Sequence, residues 1–279
     1  MNGGEAKVHT RELVNSSDRL EHASSTSPLL DLVDLTIDFK SPDSGVFRAV
    51  ESVSFSVKPF EKIIVLGPSG CGKSTVLKAI GGFNHVSSGQ ILLNGTPVVS
   101  PGPDRFLVFQ DTNQLFPWRT VLANVADACE VVLDLSRSEA RARASEYLEM
   151  VGLSQFESFF PHTLSGGMKQ RAAIARALSV DPKLLLMDEP FGALDAQTRT
   201  RLQAELNDIW IKTKTTIIFV THSIDEAVRL GTRIIIMGKN PGHIKADMVN
   251  PFAEVFAHDI EAEPSGAGEL RSEIRQLLH

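Results

Sequence analysis

Two short stretches hold residue types whose spacing can do chemistry. Residues 67–75 read GPSGCGKST, which fits G-x-x-x-x-G-K-[ST]. An apolar run, KIIVLG, precedes the pattern and a helix-like segment, STVLKAIGGF, follows it. A loop of Gly67, Pro68, Ser69, Gly70, Cys71 and Gly72 lets backbone N–H groups curl around phosphate oxygens. The helix start adds its positive dipole end. Lys73 is then placed to reach β- and γ-phosphates, Ser74 to hold Mg²⁺, and Thr75 to offer a hydroxyl near the α-phosphate. The second stretch is LLLMDEP at 184–190. Its apolar strand carries Asp188 to a C-terminal sheet edge, where ligands bind in open α/β folds. Asp188 suits Mg²⁺ through water, and Glu189 beside it suits the orientation and polarisation of an attacking water.

Three further positions are candidates on placement. Gln110 closes FLVFQ, where an amide can touch both metal and water; a plain surface glutamine is the alternative. His222 closes TTIIFVTH at the same kind of strand end, within reach of a γ-phosphate; an ordinary polar cap to the strand is the alternative. LSGGMKQR at 164–171 sets Ser165, Gly166 and Gly167 at a second helix start. Such a start offers N–H groups and a dipole to an anion. An N-cap role would explain the serine but not two glycines. Cys71 and Cys129 lack the His/Asp neighbours of a nucleophile, and no Cys/His cluster has zinc spacing.

The elements that must position these residues follow from periodicity. LLDLVDLTIDF and AVESVSFSV alternate as half-buried strands, and QILLNGTPV reads as a hairpin around Asn94 and Gly95. Residues 111–165 carry few strand signals; SRSEARARASEYLEMVGL is helical, with Ser136 and Glu139 as a capping box. Helices over 168–179, 196–212 and 224–230 then alternate with strands over 184–188, 215–221 and 233–237. That order predicts an α/β fold with a mainly parallel sheet, an antiparallel β subdomain and an inserted helical subdomain. Residues 1–27 are polar and predict a disordered tail, residues 28–240 the main domain, and residues 241–279 a C-terminal extension ending in a short helix.

Composition narrows the classes. The 279-residue chain has 42% hydrophobic residues and a net charge of −6, so nonspecific nucleic-acid binding is not expected. No apolar run approaches the roughly 18 residues of a membrane span, and the N-terminus has no signal-peptide pattern. Two cysteines suit a reducing compartment.

GPSGCGKST, the glutamine of VFQ, LSGGMKQR, LLLMDEP with GALD, and the histidine of VTHS occur in order over roughly residues 29–240. Together they resemble the nucleotide-binding subunit of ATP-binding cassette (ABC) transporters. The resemblance implies a P-loop NTPase core that binds ATP with Mg²⁺. It implies a second ATPase subunit, identical or paralogous, whose Ser165, Gly166 and Gly167 cap the ATP held by the first. Met168 and Lys169 stand where glutamines are usual in similar proteins. The adenine-stacking aromatic of the family matches Phe39 first and Phe47 second. DEPFGALD is similar to importers. FQDTNQLFPWRTVLANV and MGKNPGHI are similar to ATPase subunits for nitrate, sulfonate and taurine. Separate transmembrane permease subunits, an indirect solute-binding protein and a peripheral place on the cytoplasmic face of the membrane are therefore expected. A soluble, non-transport ABC ATPase is the alternative. Phe116, Pro117 and Trp118 are the expected membrane-subunit contact, with a core role for both aromatics as the competing reading.

Overall fold

The computed structural model describes residues 27–41, 45–111, 113–192 and 194–278. The expected tail thus lies, apart from Ser27, outside the described residues. Two sheets form the frame. Strands β1 (Leu30–Ser41), β2 (Gly45–Val57), β4 (Ser88–Leu93) and β5 (Thr96–Pro97) make a four-stranded antiparallel sheet in the order β2-β1-β4-β5. Asn94 and Gly95 turn between β4 and β5 with φ of 50° and 73°, the double positive φ of a tight hairpin.

The second sheet has six strands in the order β10-β9-β3-β8-β7-β6. They are β3 (Lys62–Leu66), β6 (Arg105–Val108), β7 (Leu184–Asp188), β8 (Thr216–Thr221), β9 (Arg233–Gly238) and β10 (His243–Val249). All its pairings are parallel except β10 with β9. The continuous apolar runs are explained by burial on both faces. Ile63, Val65, Leu184, Leu186, Ile218 and Val220 join the core under the antiparallel sheet. Their neighbours Ile64, Leu66, Leu185, Met187, Ile217 and Phe219 join the core under the helices.

The helices are α1 (Lys73–Ile80), α2 (Val121–Leu133), α3 (Arg137–Met150), α4 (Gly166–Ser179), α5 (Ala196–Thr213), α6 (Ile224–Leu230), α7 (Ala253–His258) and α8 (Ala267–Leu278). Helices α2, α3 and α4 pack on one another beside the sheet. Ser136 and Glu139 form the expected capping box at the start of α3. Helix α4 begins at Gly166, two residues before its expected start, because Ser165 caps it by accepting from Met168 N. The sheet also continues past residue 240. β10 pairs with β9 across register positions His243↔Gly238 to Val249↔Arg233, so residues 243–249 form an edge strand of the six-stranded sheet. Its polar-apolar alternation, HIKADMV, is that of an edge strand. No described helix is long and apolar enough to cross a membrane.

Candidate nucleotide site

The glycine loop runs from the end of β3 into α1. Gly72 has φ of 92°, and a Cβ on it would lie 2.8 Å from Val50 Cγ2, so the loop is pressed against β2. Cys71 is fully buried, and burial pushes its thiol up, which makes it a packing residue. Lys73 is 4% exposed. Its Nζ donates to Gly67 O at 2.8 Å and Pro68 O at 3.1 Å, curling back over the loop. Thr75 offers its carbonyl to Asn84 Nδ2 at 3.1 Å.

The loop and the end of β7 meet. Ser74 Oγ donates to Asp188 Oδ1 at 2.7 Å, and Asp188 is buried. Two hard oxygen donors at one point suit Mg²⁺. Among the described residues no cluster of three or more His, Cys, Asp or Glu forms a metal cage. Glu189 follows with φ of 42°, an uncommon backbone for a residue with a side chain. Its Oε1 lies 3.9 Å from Lys73 Nζ and its Oε2 lies 2.9 Å from His222 Nδ1. His222 follows β8, the strand beside β7. A Cβ on Gly192 would sit 3.5 Å from Gln110 Nε2 and 4.0 Å from Glu189 Oε2, which brings Gln110 to the same edge.

Other candidates lie apart. Phe39 and Phe47 are register partners on β1 and β2 and are both exposed, at 43% and 60%. Phe47 is two residues from Ala49, whose carbonyl a Cβ on Gly72 would approach to 3.1 Å. Ser165 and Gly166 are exposed, and among the described residues no hydrogen bond ties Ser165, Gly166 or Gly167 to the glycine loop of the same chain. Gly167 is buried, and a Cβ there would lie 2.9 Å from Thr198 Cγ2 on α5. Phe116 and Trp118 are not core residues. They are 44% and 71% exposed and stack at 5.5 Å between ring centroids. Asn124, buried on α2, holds their turn: Phe116 N donates to its Oδ1 at 2.7 Å, and its amide donates to the carbonyls of Phe116, Arg119 and Thr120.

Asn124 and one further group were absent from the sequence candidates. Glu226, four residues after His222, is buried and accepts from the Thr221 hydroxyl and from Gln203 Nε2. Arg199 Nε lies 3.9 Å away, and burial pushes the Glu226 carboxyl up. An acid in the first turn of a short helix was its only signal in the sequence.

Comparison with known proteins decides the family. The ABC transporter family model matches residues 50–192. The chain belongs to the ABC transporter family. Taurine import ATP-binding protein TauB of Rhizobium johnstonii is 49% identical over 237 residues, covering 83% of this chain and 89% of that protein. Nitrate import ATP-binding protein NrtD of Synechococcus elongatus is 43% identical over 237 residues, covering 84% and 86%. A dimeric ATP-binding cassette solved in a post-hydrolysis state with ADP and Pi has a TM-score of 0.69 at 32% identity, covering 79% of this chain and 98% of that one. The fold is that of an ABC ATPase: a P-loop α/β core with an antiparallel subdomain and packed helices.

Proposed function

We propose that this chain is the ATP-hydrolysing subunit of an importer for a small solute of the nitrate, sulfonate and taurine kind. Separate membrane subunits form its pathway and a solute-binding protein feeds it. The observation that supports this reading best is the meeting of Lys73, Ser74, Asp188, Glu189 and His222 at one sheet edge. Two adenine-sized aromatics, Phe39 and Phe47, are exposed register partners on β1 and β2, and the glycine loop packs on β2 at Val50. The import class rests on the names of the relatives.

In this reading Gly67–Thr75 wrap the phosphates and Lys73 exchanges its carbonyl partners for β- and γ-oxygens. Ser74 and Asp188, with Gln110 at the same sheet edge, would hold Mg²⁺, which would supply charge neutralisation of the phosphates. Glu189 orients the attacking water and accepts its proton as the water oxygen bonds to the γ-phosphorus. The bond from that phosphorus to the bridging oxygen breaks, leaving ADP and Pi. His222 fixes the Glu189 carboxylate and faces the γ-phosphate. Ser165, Gly166 and Gly167 sit at an exposed helix start, away from their own loop, and act on the ATP of a second subunit. Phe116 and Trp118 offer an exposed, proline-stiffened aromatic surface to the membrane subunits, which favours transport over the soluble reading. The chain then works as a peripheral protein on the cytoplasmic face.

The test is affinity purification from detergent-solubilised membranes, followed by uptake in vesicles holding the purified complex. Recovery of hydrophobic subunits and ATP-driven uptake of taurine, nitrate or an alkanesulfonate is expected. An active ATPase recovered only from the soluble fraction would overturn the importer reading.

A further inference from the structure

We propose that Arg176 is the positioning residue that ties the Ser165–Gly167 helix start to the exposed Phe116–Trp118 pair. Arg176 lies on α4, roughly 15 Å along the helix from Gly166 at about 1.5 Å per residue. Its surroundings are unusual for a guanidinium. Nη1 donates to Gln114 O at 3.0 Å, and the group lies 5.9 Å from the ring centroids of both Phe106 and Phe116. Its Nε is buried without a hydrogen-bond partner, and among the described residues no carboxylate pairs with it. Through its guanidinium Arg176 ties this part of α4 to the 106–116 segment, while Arg143 on α3 donates to Ser179 O at the helix end.

That segment is itself braced. Gln114 Nε2 donates to the carbonyls of Phe109 and Asp111, both at 3.1 Å, while its Oε1 accepts from Phe109 N at 3.2 Å. Gln110, whose neighbours on both sides are bonded in this way, moves with the brace. On the other side Phe116 stacks on Trp118, and Asn124 clamps the turn that carries both. The contacts make one continuous path from α4 through Arg176 to Gln114 and Phe116, and on to Trp118.

A helix of 14 residues moves as a rod. When its start is drawn onto nucleotide bound by another subunit, Arg176 is displaced with it. A guanidinium can donate to a carbonyl while its centre lies over aromatic rings, as Arg176 does with Gln114 O, Phe106 and Phe116. Lysine keeps the charge but not that geometry, and an apolar residue loses the carbonyl. The joint rests on the proposed two-subunit sandwich.

Its test uses a background of Glu189→Gln, to hold ATP unhydrolysed, with Trp210→Phe, so that Trp118 is the remaining one of the two tryptophans. Size-exclusion chromatography reads the dimer and Trp118 emission reads the docking surface, each with and without ATP. With Arg176 intact, ATP should give both a dimer and a Trp118 emission shift. Arg176→Lys should still dimerise at an ATP concentration within about threefold, and should lose the shift. Arg176→Gln, which keeps a donor but neither charge nor ring faces, should behave alike and serves if the lysine variant is poorly folded. A full Trp118 shift in either folded variant overturns the joint, as does a melting temperature and dimer yield that fall together with the shift. A dimer with a silent Trp118 in the intact background sinks the joint alone. A monomer there sinks the sandwich reading beneath it.

Discussion

His222 Nδ1 stands 2.9 Å from Oε2 of Glu189 across two neighbouring strand ends. The other oxygen of the same carboxylate faces Lys73 Nζ at 3.9 Å. One carboxylate is thus held from both sides without being sealed in, since its side chain is 18% exposed. Glu189→Gln keeps the size but replaces one acceptor oxygen with an NH2 donor, and it cannot take a proton. Hydrolysis should fall by about 10²–10⁴-fold while ATP binding survives. Phosphate-release assays check the first, and equilibrium binding of a fluorescent ATP analogue checks the second. Turnover within a few-fold of the parent would remove Glu189 from the proposed role.

Lys73 is buried, and its ammonium donates to the Gly67 and Pro68 carbonyls of its own loop. Lys73→Ala should weaken ATP binding and abolish hydrolysis, because the proposed charge on the β/γ-oxygens goes with it. The same two assays apply. Near-normal turnover in the purified variant would rule out the loop as the phosphate site.

The turn before β10 touches the same loop. Gly242 N donates to Ala49 O at 3.0 Å, Gly242 O accepts from Glu51 N at 2.8 Å, and a Cβ on Gly242 would meet Cys71 O at 2.2 Å. Gly242→Ala should therefore push the glycine loop, lowering ATP affinity by about tenfold and stability by about 1–3 kcal/mol. Gly268→Ala, with nothing within 4 Å of the added carbon, is the control. Isothermal binding and urea melts on both variants give the comparison; unchanged ATP affinity in Gly242→Ala would show that the loop does not lean on this turn.

The alternation of element types and the ends of β3 and β7 were legible because local pattern and tertiary context agree there. Runs such as IIVL at 63–66 are apolar on every residue, and burial on both faces is the physical reason. Strand β10 was not legible. HIKADMV carries edge-strand alternation in a stretch with polar neighbours, and its pairing with β9 is a contact between segments that periodicity cannot see. Asn124 and Glu226 were missed for the same reason. Each is a lone polar residue in a helical pattern, and its worth lies in partners on other segments. The exposure of Phe116 and Trp118 was open from sequence, because aromatic type says only that a residue packs on something.

That exposure carries a prediction. Trp118→Ala removes a side chain that is 71% exposed, so the isolated subunit should fold and hydrolyse ATP within about twofold of the parent. Uptake by the assembled complex should drop by at least tenfold, as for a buried aromatic anchor at an interface. The paired measurement is ATPase rate of the free subunit and solute uptake by the complex. Full uptake without Trp118 would show that the contact lies elsewhere.

Lys62 tests the electrostatics of the core away from the nucleotide. Its side chain is 2% exposed at the start of β3, its Nζ donates to Asn207 Oδ1 on α5, and it lies 4.5 Å over the Trp210 ring. Among the described residues no carboxylate compensates it, and burial lowers its pKa from 10.5 to about 7. The sign follows. Between pH 7 and 10.5 the unfolded chain holds this proton and the folded chain does not, so stability rises with pH across that window. Below the lower value both states are protonated, the slope from this group vanishes, and its full cost is present. Wild type should therefore gain about 1.4 kcal/mol per pH unit relative to Lys62→Met between pH 7.5 and 9.5. Losing the partner of Asn207 shifts the level of the variant by about 1–3 kcal/mol at every pH, so the slope and not the level is the readout. Urea melts of both proteins at three pH values across the window measure it. Parallel lines would mean that Lys62 titrates at its ordinary value and is not buried as a lone ammonium.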